Sequence, residues 1–294
     1  ASDLNRSGSI QVVPAGYRPT LDLAVAVGVA TQWDLGHPTI ARAMTVTKRG
    51  GGTLVFDAAN AYEGPTTVVE GTLRVDQADA LANSQVTIEP AATLAISDGV
   101  VMRAAGIALA GGRVDVGTGG IRIGPGGTSA AALRADLLAG REGGSWHGAS
   151  GIMSSAAGSG RGLGYLVAAD GSAIVAYAAA GDADLDGTVN VFDLVSVNVA
   201  GGFGTGGATD WAKGDFNYDS VTNVFDLVAT NTASVYGQGS YLPETLAGSV
   251  TNLHVSAVPE PRSVALLLIA GIAGLAAHRR RPLEGRILGN ATRP

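Results

Sequence analysis

Two stretches of the chain place acidic and amide side chains at the same intervals. Asp182, Asp184, Asp186, Asn190 and Asp193 occupy positions 1, 3, 5, 9 and 12 of a twelve-residue segment, with Gly187 at position 6. Asp215, Asn217, Asp219, Asn223 and Asp226 repeat that spacing 33 residues later, with Ser220 at position 6. Calcium is a hard cation that collects six to eight oxygens at roughly 2.3–2.6 Å, and a tight loop turns alternate side chains onto one ion. The carbonyls of Thr188 and Val221, at position 7, would add a backbone oxygen to each site. The pattern predicts two calcium ions. The second site is expected to be the weaker. It has one carboxylate fewer, and Ser220 pays more than Gly187 for a left-handed backbone.

The charge distribution supports a cation. Residues 182–226 carry eight Asp against one Lys, a local −7 within a net charge of −6, so the rest of the chain is close to +1. No basic face is left for phosphates, which argues against a nucleic-acid partner.

The elements around the loops follow from periodicity. Val191, Leu194 and Val195 follow the first loop, and Val224, Leu227 and Val228 the second, at helical offsets of three and four. Nothing helical clearly precedes either loop, so each unit reads as a loop plus one helix, half of an EF-hand. One half-hand cannot bury its helix face, and two are expected to pack together once calcium quenches the carboxylates. Without the ion the eight Asp repel and the module should loosen. Over residues 181–238 the pair resembles a type I dockerin. The resemblance implies docking onto a cohesin-like module through Val191, Phe192, Val224 and Phe225. The bland alternative is that these four residues only pack the two helices against each other.

The rest of the chain is rich in small residues. Gly accounts for 44 of 294 residues, charged residues for 15% and aromatics for 5%, which points to turn-rich, repetitive β structure. There is no cysteine, which removes disulfides and thiolate metal sites. The triplets Leu54–Phe56, Leu73–Val75, Leu94–Ile96 and Val114–Val116 begin 19, 21 and 20 residues apart, and Val69, Ile88 and Leu109 form a second row. A period near twenty made of short alternating strands predicts a parallel β-solenoid whose apolar rows fill a continuous core. Residues 51–75, with Asn60, Tyr62, Gly64, Thr66, Val68, Gly71, Thr72 and Leu73, resemble the autotransporter-associated β-strand repeat. That resemblance implies a right-handed β-helix on a secreted or surface protein. Tyr62 is expected to stack or cap rather than touch a ligand. The run Leu21–Ala30 reads as an incomplete coil, and the solenoid is expected to continue upstream. The chain opens on Ala1 without a visible leader, as a processed product or a piece of a longer protein would.

Residues 131–180 read as a bridge. ALRADLLAG predicts a short helix, and Asp170-Gly171 lies between alternating strands, a hairpin signal. Trp146 and His147, in the loop between, are placed at a cap contact in preference to a ligand site. At the C-terminus, Pro259, Glu260 and Pro261 precede fourteen apolar residues, Val264–Ala277, and then Arg279, Arg280 and Arg281. The apolar run is shorter than the ~20 residues that span a bilayer comfortably, and the arginines mark a cytoplasmic side. The three parts resemble the PEP-CTERM sorting signal. They imply transient anchoring in the inner membrane, recognition by an exosortase-type enzyme, and export to the cell surface or an extracellular matrix. The residues PLEGRILGNATRP beyond the arginines depart from that pattern.

The expected fold class is mainly β: a right-handed parallel β-solenoid, then a small α-helical dockerin-like module of paired half EF-hands, then a C-terminal transmembrane helix. The expected boundaries are 1–130 for the solenoid, 131–180 for the bridge, 181–240 for the calcium module, 241–257 for a linker, 258–281 for the sorting signal and 282–294 for a tail. No catalytic constellation stands out. The four histidines lie in separate segments, and the glycine pattern at Gly202–Gly207 sits between the loops rather than between a strand and a helix. A non-catalytic exported protein is the first reading. A carbohydrate-active enzyme with its catalytic part upstream, or an adhesin that binds extracellular polysaccharide, are the others.

Overall fold

The structure is a computed structural model that describes residues 20–28, 30–32, 44–158 and 160–242. Twelve strands form one hydrogen-bonded system. They are β1 (Thr20–Ala24), β2 (Ala30–Gln32), β3 (Thr45–Arg49), β4 (Thr53–Phe56), β5 (Thr66–Val75), β6 (Leu81–Ile96), β7 (Val101–Leu109), β8 (Arg113–Asp115), β9 (Gly120–Ile123), β10 (Gly151–Met153), β11 (Arg161–Val167) and β12 (Ala173–Ala179). Up to β10 every pairing is parallel, and the strands stack into a β-solenoid of about four turns.

Three columns of side chains run up the solenoid. In the first, Val46, Thr66, Val86 and Ile107 lie in register on successive turns. In the second, Leu54, Leu73, Leu94, Val114 and Ile152 are stacked one above another. The third carries Leu81, Ala104 and Ile123. The second column contains the row expected from the twenty-residue period. Leu54, Leu73, Leu94 and Val114 are all essentially inaccessible to solvent, and burying each stabilises the coil by about 1.5–3 kcal/mol. The run at Leu21 is a further rung, since β1 pairs in parallel with β3.

The second expected row is displaced by one residue. Val68, not Val69, faces Ile88 and is fully buried, and Ile88 in turn faces Leu109. The register shifts between Val68 and Glu70. The step of three from Ile88 to Ala91 against two from Val68 to Glu70 places the extra residue in β6, while Val69, the strand neighbour of the inward Val68, is only half-buried because side chains alternate.

Polar side chains fix the corners. Lys48 is fully buried, and its Nζ donates to the carbonyls of Glu70 at 2.8 Å, Arg49 at 3.1 Å and Gly50. Burial pushes its pKa down. Tyr62, expected to stack or cap, points into the coil. Its ring is buried and its hydroxyl meets Thr66 Oγ1 at 2.6 Å, which meets Ser84 Oγ at 2.8 Å, which donates to the Gly64 carbonyl at 2.8 Å.

The C-terminal end of the solenoid is capped. Helix α1 (Ala130–Arg141), capped by Ser129, buries Leu133 and Leu137. It approaches β10 so closely that a side chain at Gly140 would collide with the Ile152 carbonyl. This is the short helix expected from ALRADLLAG. The antiparallel hairpin β11–β12 turns at Asp170-Gly171 as expected and adds to β9, which ends the parallel stacking. Two helices come next, α2 (Val191–Val199) and α3 (Val224–Ala233), one after each acidic loop. A 3-10 turn, Trp211–Lys213, precedes the second loop. No helix among the described residues is long and apolar enough to cross a membrane. The residues of the expected sorting signal, Pro259, Glu260, Pro261, Arg279, Arg280 and Arg281, lie outside the described residues.

Candidate metal centre

The two acidic loops share most of their backbone-to-side-chain hydrogen bonds. In the first, the position 1 carboxylate of Asp182 accepts the N–H of Gly187 at 3.0 Å; in the second, Asp215 accepts the N–H of Ser220 at 3.1 Å. Asp186 accepts from Thr188 N at 2.7 Å, as Asp219 accepts from Val221 N at 2.8 Å. The closing carboxylates, Asp193 and Asp226, each take one N–H from just after position 1 (Ala183 and Phe216, both 2.9 Å) and one from position 9 (Asn190 and Asn223, both 2.8 Å). Asn190 and Asn223 cap α2 and α3 in matching capping boxes, their Oδ1 atoms accepting from Phe192 N and Phe225 N. The backbone agrees too. Positions 4 and 6 are left-handed in both loops, with φ of 60° and 85° at Leu185 and Gly187, and 64° and 73° at Tyr218 and Ser220. Ser220 therefore does hold the conformation that glycine takes at no steric cost.

This folding concentrates negative charge out of water. Asp182 and Asp215 are fully buried, and Asp193 and Asp226 nearly so. In the first loop, ligand atoms of Asp182, Asp184 and Asp193 all lie within 4.8 Å of one another. Among the described residues no basic side chain pairs with any of the four Asp of this loop. Burial, with the neighbouring carboxylates adding to it, pushes the Asp182 pKa far up, and burial raises Asp193 to about 7. Asp184 is raised by the same causes, and Asp215 and Asp226 are raised chiefly by burial. Buried carboxylates need a partner charge or a proton. In the second loop one buried oxygen, Asp215 Oδ1, has no hydrogen-bond partner among the described residues. A convergent set of hard oxygens with an orphaned buried carboxylate oxygen fits a hard divalent cation. Asp182, Asp184, Asp186 and Asp193 could hold one, and Asp215, Asn217, Asp219 and Asp226 another, with Thr188 and Val221 at the carbonyl position of each loop. Asn190 and Asn223 already spend Oδ1 on the helix caps and would act through water, as position 9 often does.

The helix faces behave otherwise than periodicity suggests. Val191, Phe192, Val224 and Phe225 are 53%, 58%, 58% and 65% exposed, and Val195, Leu227 and Val228 are exposed with them. The two loop-and-helix units do not bury these faces against each other. Their loops are instead anchored on the solenoid cap by an aromatic cluster. Trp146 meets Tyr218 edge-on at 5.4 Å, and Trp211 meets Phe216 edge-on at 5.0 Å. The Tyr218 hydroxyl donates to the Leu163 carbonyl at 2.6 Å. Glycines make the room: a side chain at Gly162 would strike the Trp146 indole, and one at Gly164 would lie 2.6 Å from the Trp211 ring. Trp146 is thus the cap contact expected of it, while His147 is exposed. Arg74, set beside acids in the sequence, forms a two-bond surface pair with Asp76 at 2.8 and 2.9 Å.

Sequence reasoning missed Arg134, which reaches from α1 into the second loop. Its Nη2 lies 2.8 Å from Asp215 Oδ2, 2.9 Å from Ser220 Oγ and 3.2 Å from the Tyr218 carbonyl. Arg134 and Asp215 are 81 residues apart, and no local pattern links them.

Comparison with known proteins bears on the solenoid. A family model, the Passenger-associated-transport-repeat, matches residues 46–75. The match runs from β3 to the end of β5 and contains Lys48, Tyr62 and Thr66, whose hydrogen bonds fix corners of this coil. No curated protein and no solved structure matches the chain. The protein is therefore a repeat-containing β-solenoid with a paired acidic-loop unit seated on its cap.

Proposed function

We propose that this chain is a non-catalytic exported protein of the cell surface or extracellular matrix. Its right-handed β-solenoid supplies length, and its dockerin-like module binds two calcium ions and docks a partner. The observation that carries this reading is the duplicated loop, in which two segments 33 residues apart reproduce the same hydrogen bonds around buried carboxylates. Ligation would fall to the position 1, 3, 5, 7 and 12 groups of each loop, with position 9 acting through water. The repeat match at residues 46–75 supports export. A C-terminal signal built on Pro259–Pro261 and Arg279–Arg281 would deliver the chain to an exosortase-type enzyme.

The exposed pairs Val191–Phe192 and Val224–Phe225 stand at the same position of each repeat and form the docking face for a cohesin-like module. Large exposed aromatics are enriched among the residues that carry protein–protein affinity. Surface-immobilised cohesin modules, probed with the full chain in calcium and in chelator, test the docking step. Calcium-dependent capture that is lost in the Phe192→Asp/Phe225→Asp double variant is expected. Equal capture of the wild type and the double variant would refute the assignment of that face.

A further inference from the structure

We propose that the guanidinium of Arg134 is a resident cation of the second loop, holding residues 215–226 folded on the solenoid cap when calcium is absent. Among the described residues the first loop has no such group, and it depends on the metal. The inference rests on the calcium reading above.

The loops differ at the carboxylate of the first aspartate: Asp182 Oδ1 accepts the N–H of Asp186 at 3.1 Å, Asp215 Oδ1 has no partner among the described residues, and the two Oδ2 atoms have different second partners. In each, Oδ2 of the first aspartate accepts the N–H of position 6. In the first loop its second partner is the hydroxyl of Tyr241, a neutral donor. In the second loop it is Nη2 of Arg134. Both charges of the latter pair are withdrawn from water, with the arginine side chain 19% exposed and the aspartate 0%. The same nitrogen reaches Ser220 Oγ and the Tyr218 carbonyl, so one group engages positions 1, 4 and 6 of the loop. Two of these, Tyr218 and Ser220, are the residues in left-handed backbone. Serine at position 6 thereby gains a function glycine lacks: its hydroxyl is a ligand of the guanidinium. A charge-assisted contact of this kind is about twice as strong as a neutral one. The arginine occupies only Oδ2. Oδ1 of Asp215 stays buried, with no partner among the described residues, so the loop can still accept calcium, but beside a fixed positive charge that weakens the attraction.

The test is hydrogen–deuterium exchange of the full chain, in chelator and in millimolar calcium, for wild type, Arg134→Gln and Arg134→Lys. The rungs of residues 86–96 serve as the internal reference. In chelator, wild-type residues 215–226 are expected to be protected while 182–193 exchange fast. Arg134→Gln should speed exchange of 215–226 by roughly tenfold or more, Arg134→Lys by less, and calcium should restore protection in the Gln variant. Restoration by calcium separates a cation from a packing group. Unchanged exchange of 215–226 in Arg134→Gln, or equal exchange of both loops in wild-type chelator, overturns the proposal. So does loss of protection that calcium does not restore while 182–193 still responds to calcium. If 182–193 also ignores calcium, the calcium reading itself has failed and takes the proposal with it. Should Arg134→Gln open the reference rungs as well, Arg134→Lys carries the same comparison.

Discussion

The indole N–H of Trp211 donates to the backbone carbonyl of Asp182 at 2.6 Å. The residue that opens the 3-10 turn before the second loop is thereby tied to position 1 of the first loop. Trp211 is buried and also packs on Phe216, just after Asp215. One side chain therefore links the entrances of both loops. Replacing it with Phe keeps much of the packing but leaves a buried carbonyl without its donor, a loss of about 1–3 kcal/mol. Trp211→Phe should lower the melting temperature of the chain and speed exchange across residues 182–193, while the rungs of residues 86–96 stay as protected as in wild type.

The pH dependence of the metal-free loops runs opposite to that of an ordinary salt-bridged carboxylate. Asp193 is raised from 3.8 to about 7, chiefly by burial. The folded state thus holds its proton more tightly than the unfolded chain. Stability from this group is complete below pH ~4 and is lost as the pH rises towards ~7. In chelator, stability should fall across that window. Calcium needs the deprotonated ligand, so its affinity should climb across the same window. Melting curves in chelator and calcium titrations between about pH 5 and 8 check both signs.

The glycines of β11 set how closely the aromatic cluster can approach. Gly162→Ala drives a methyl into the Trp146 indole, and Gly164→Ala into the Trp211 ring and Leu185. Overpacking of this kind costs roughly 1–3 kcal/mol. Each variant should loosen the loops from the cap, visible as faster exchange of residues 215–226 and a change in tryptophan emission.

The displaced row in the solenoid yields a paired test. Val68→Ala removes fully buried methyls that face Ile88 and should cost about 1–3 kcal/mol. Val69→Ala touches a half-buried side chain at the register shift and should cost clearly less. Equilibrium unfolding in urea separates the two. An equal loss at both positions would contradict the register.

Much of this molecule is written in local spacing. The triplets beginning at Leu54, Leu73, Leu94 and Val114 face one another in the order their period suggests. The two loops fold as twins because each ligand position is set by the few residues around it. Spacing fails where two apolar residues are neighbours, as at Val68 and Val69, because a count of apolar positions does not say which of the two points inward. It also fails to say what a helix stripe faces. Val191 and Val195 of α2 and Val224, Leu227 and Val228 of α3 recur with the period of a buried face, but the loops hold the module to the cap by other residues, and these side chains look outward. Arg134 and Lys48 were illegible for a different reason. Their carbonyl and carboxylate partners, Glu70 and Asp215, are brought to them by coil stacking and cap packing.

The most direct measurement is a calorimetric calcium titration of the full chain, beside Asp182→Asn and Asp215→Asn. The account predicts two bound ions in the wild type. Asp182→Asn should remove the tighter event and Asp215→Asn the weaker. No binding heat in any of the three proteins, with exchange of residues 182–193 unaffected by calcium, would contradict it.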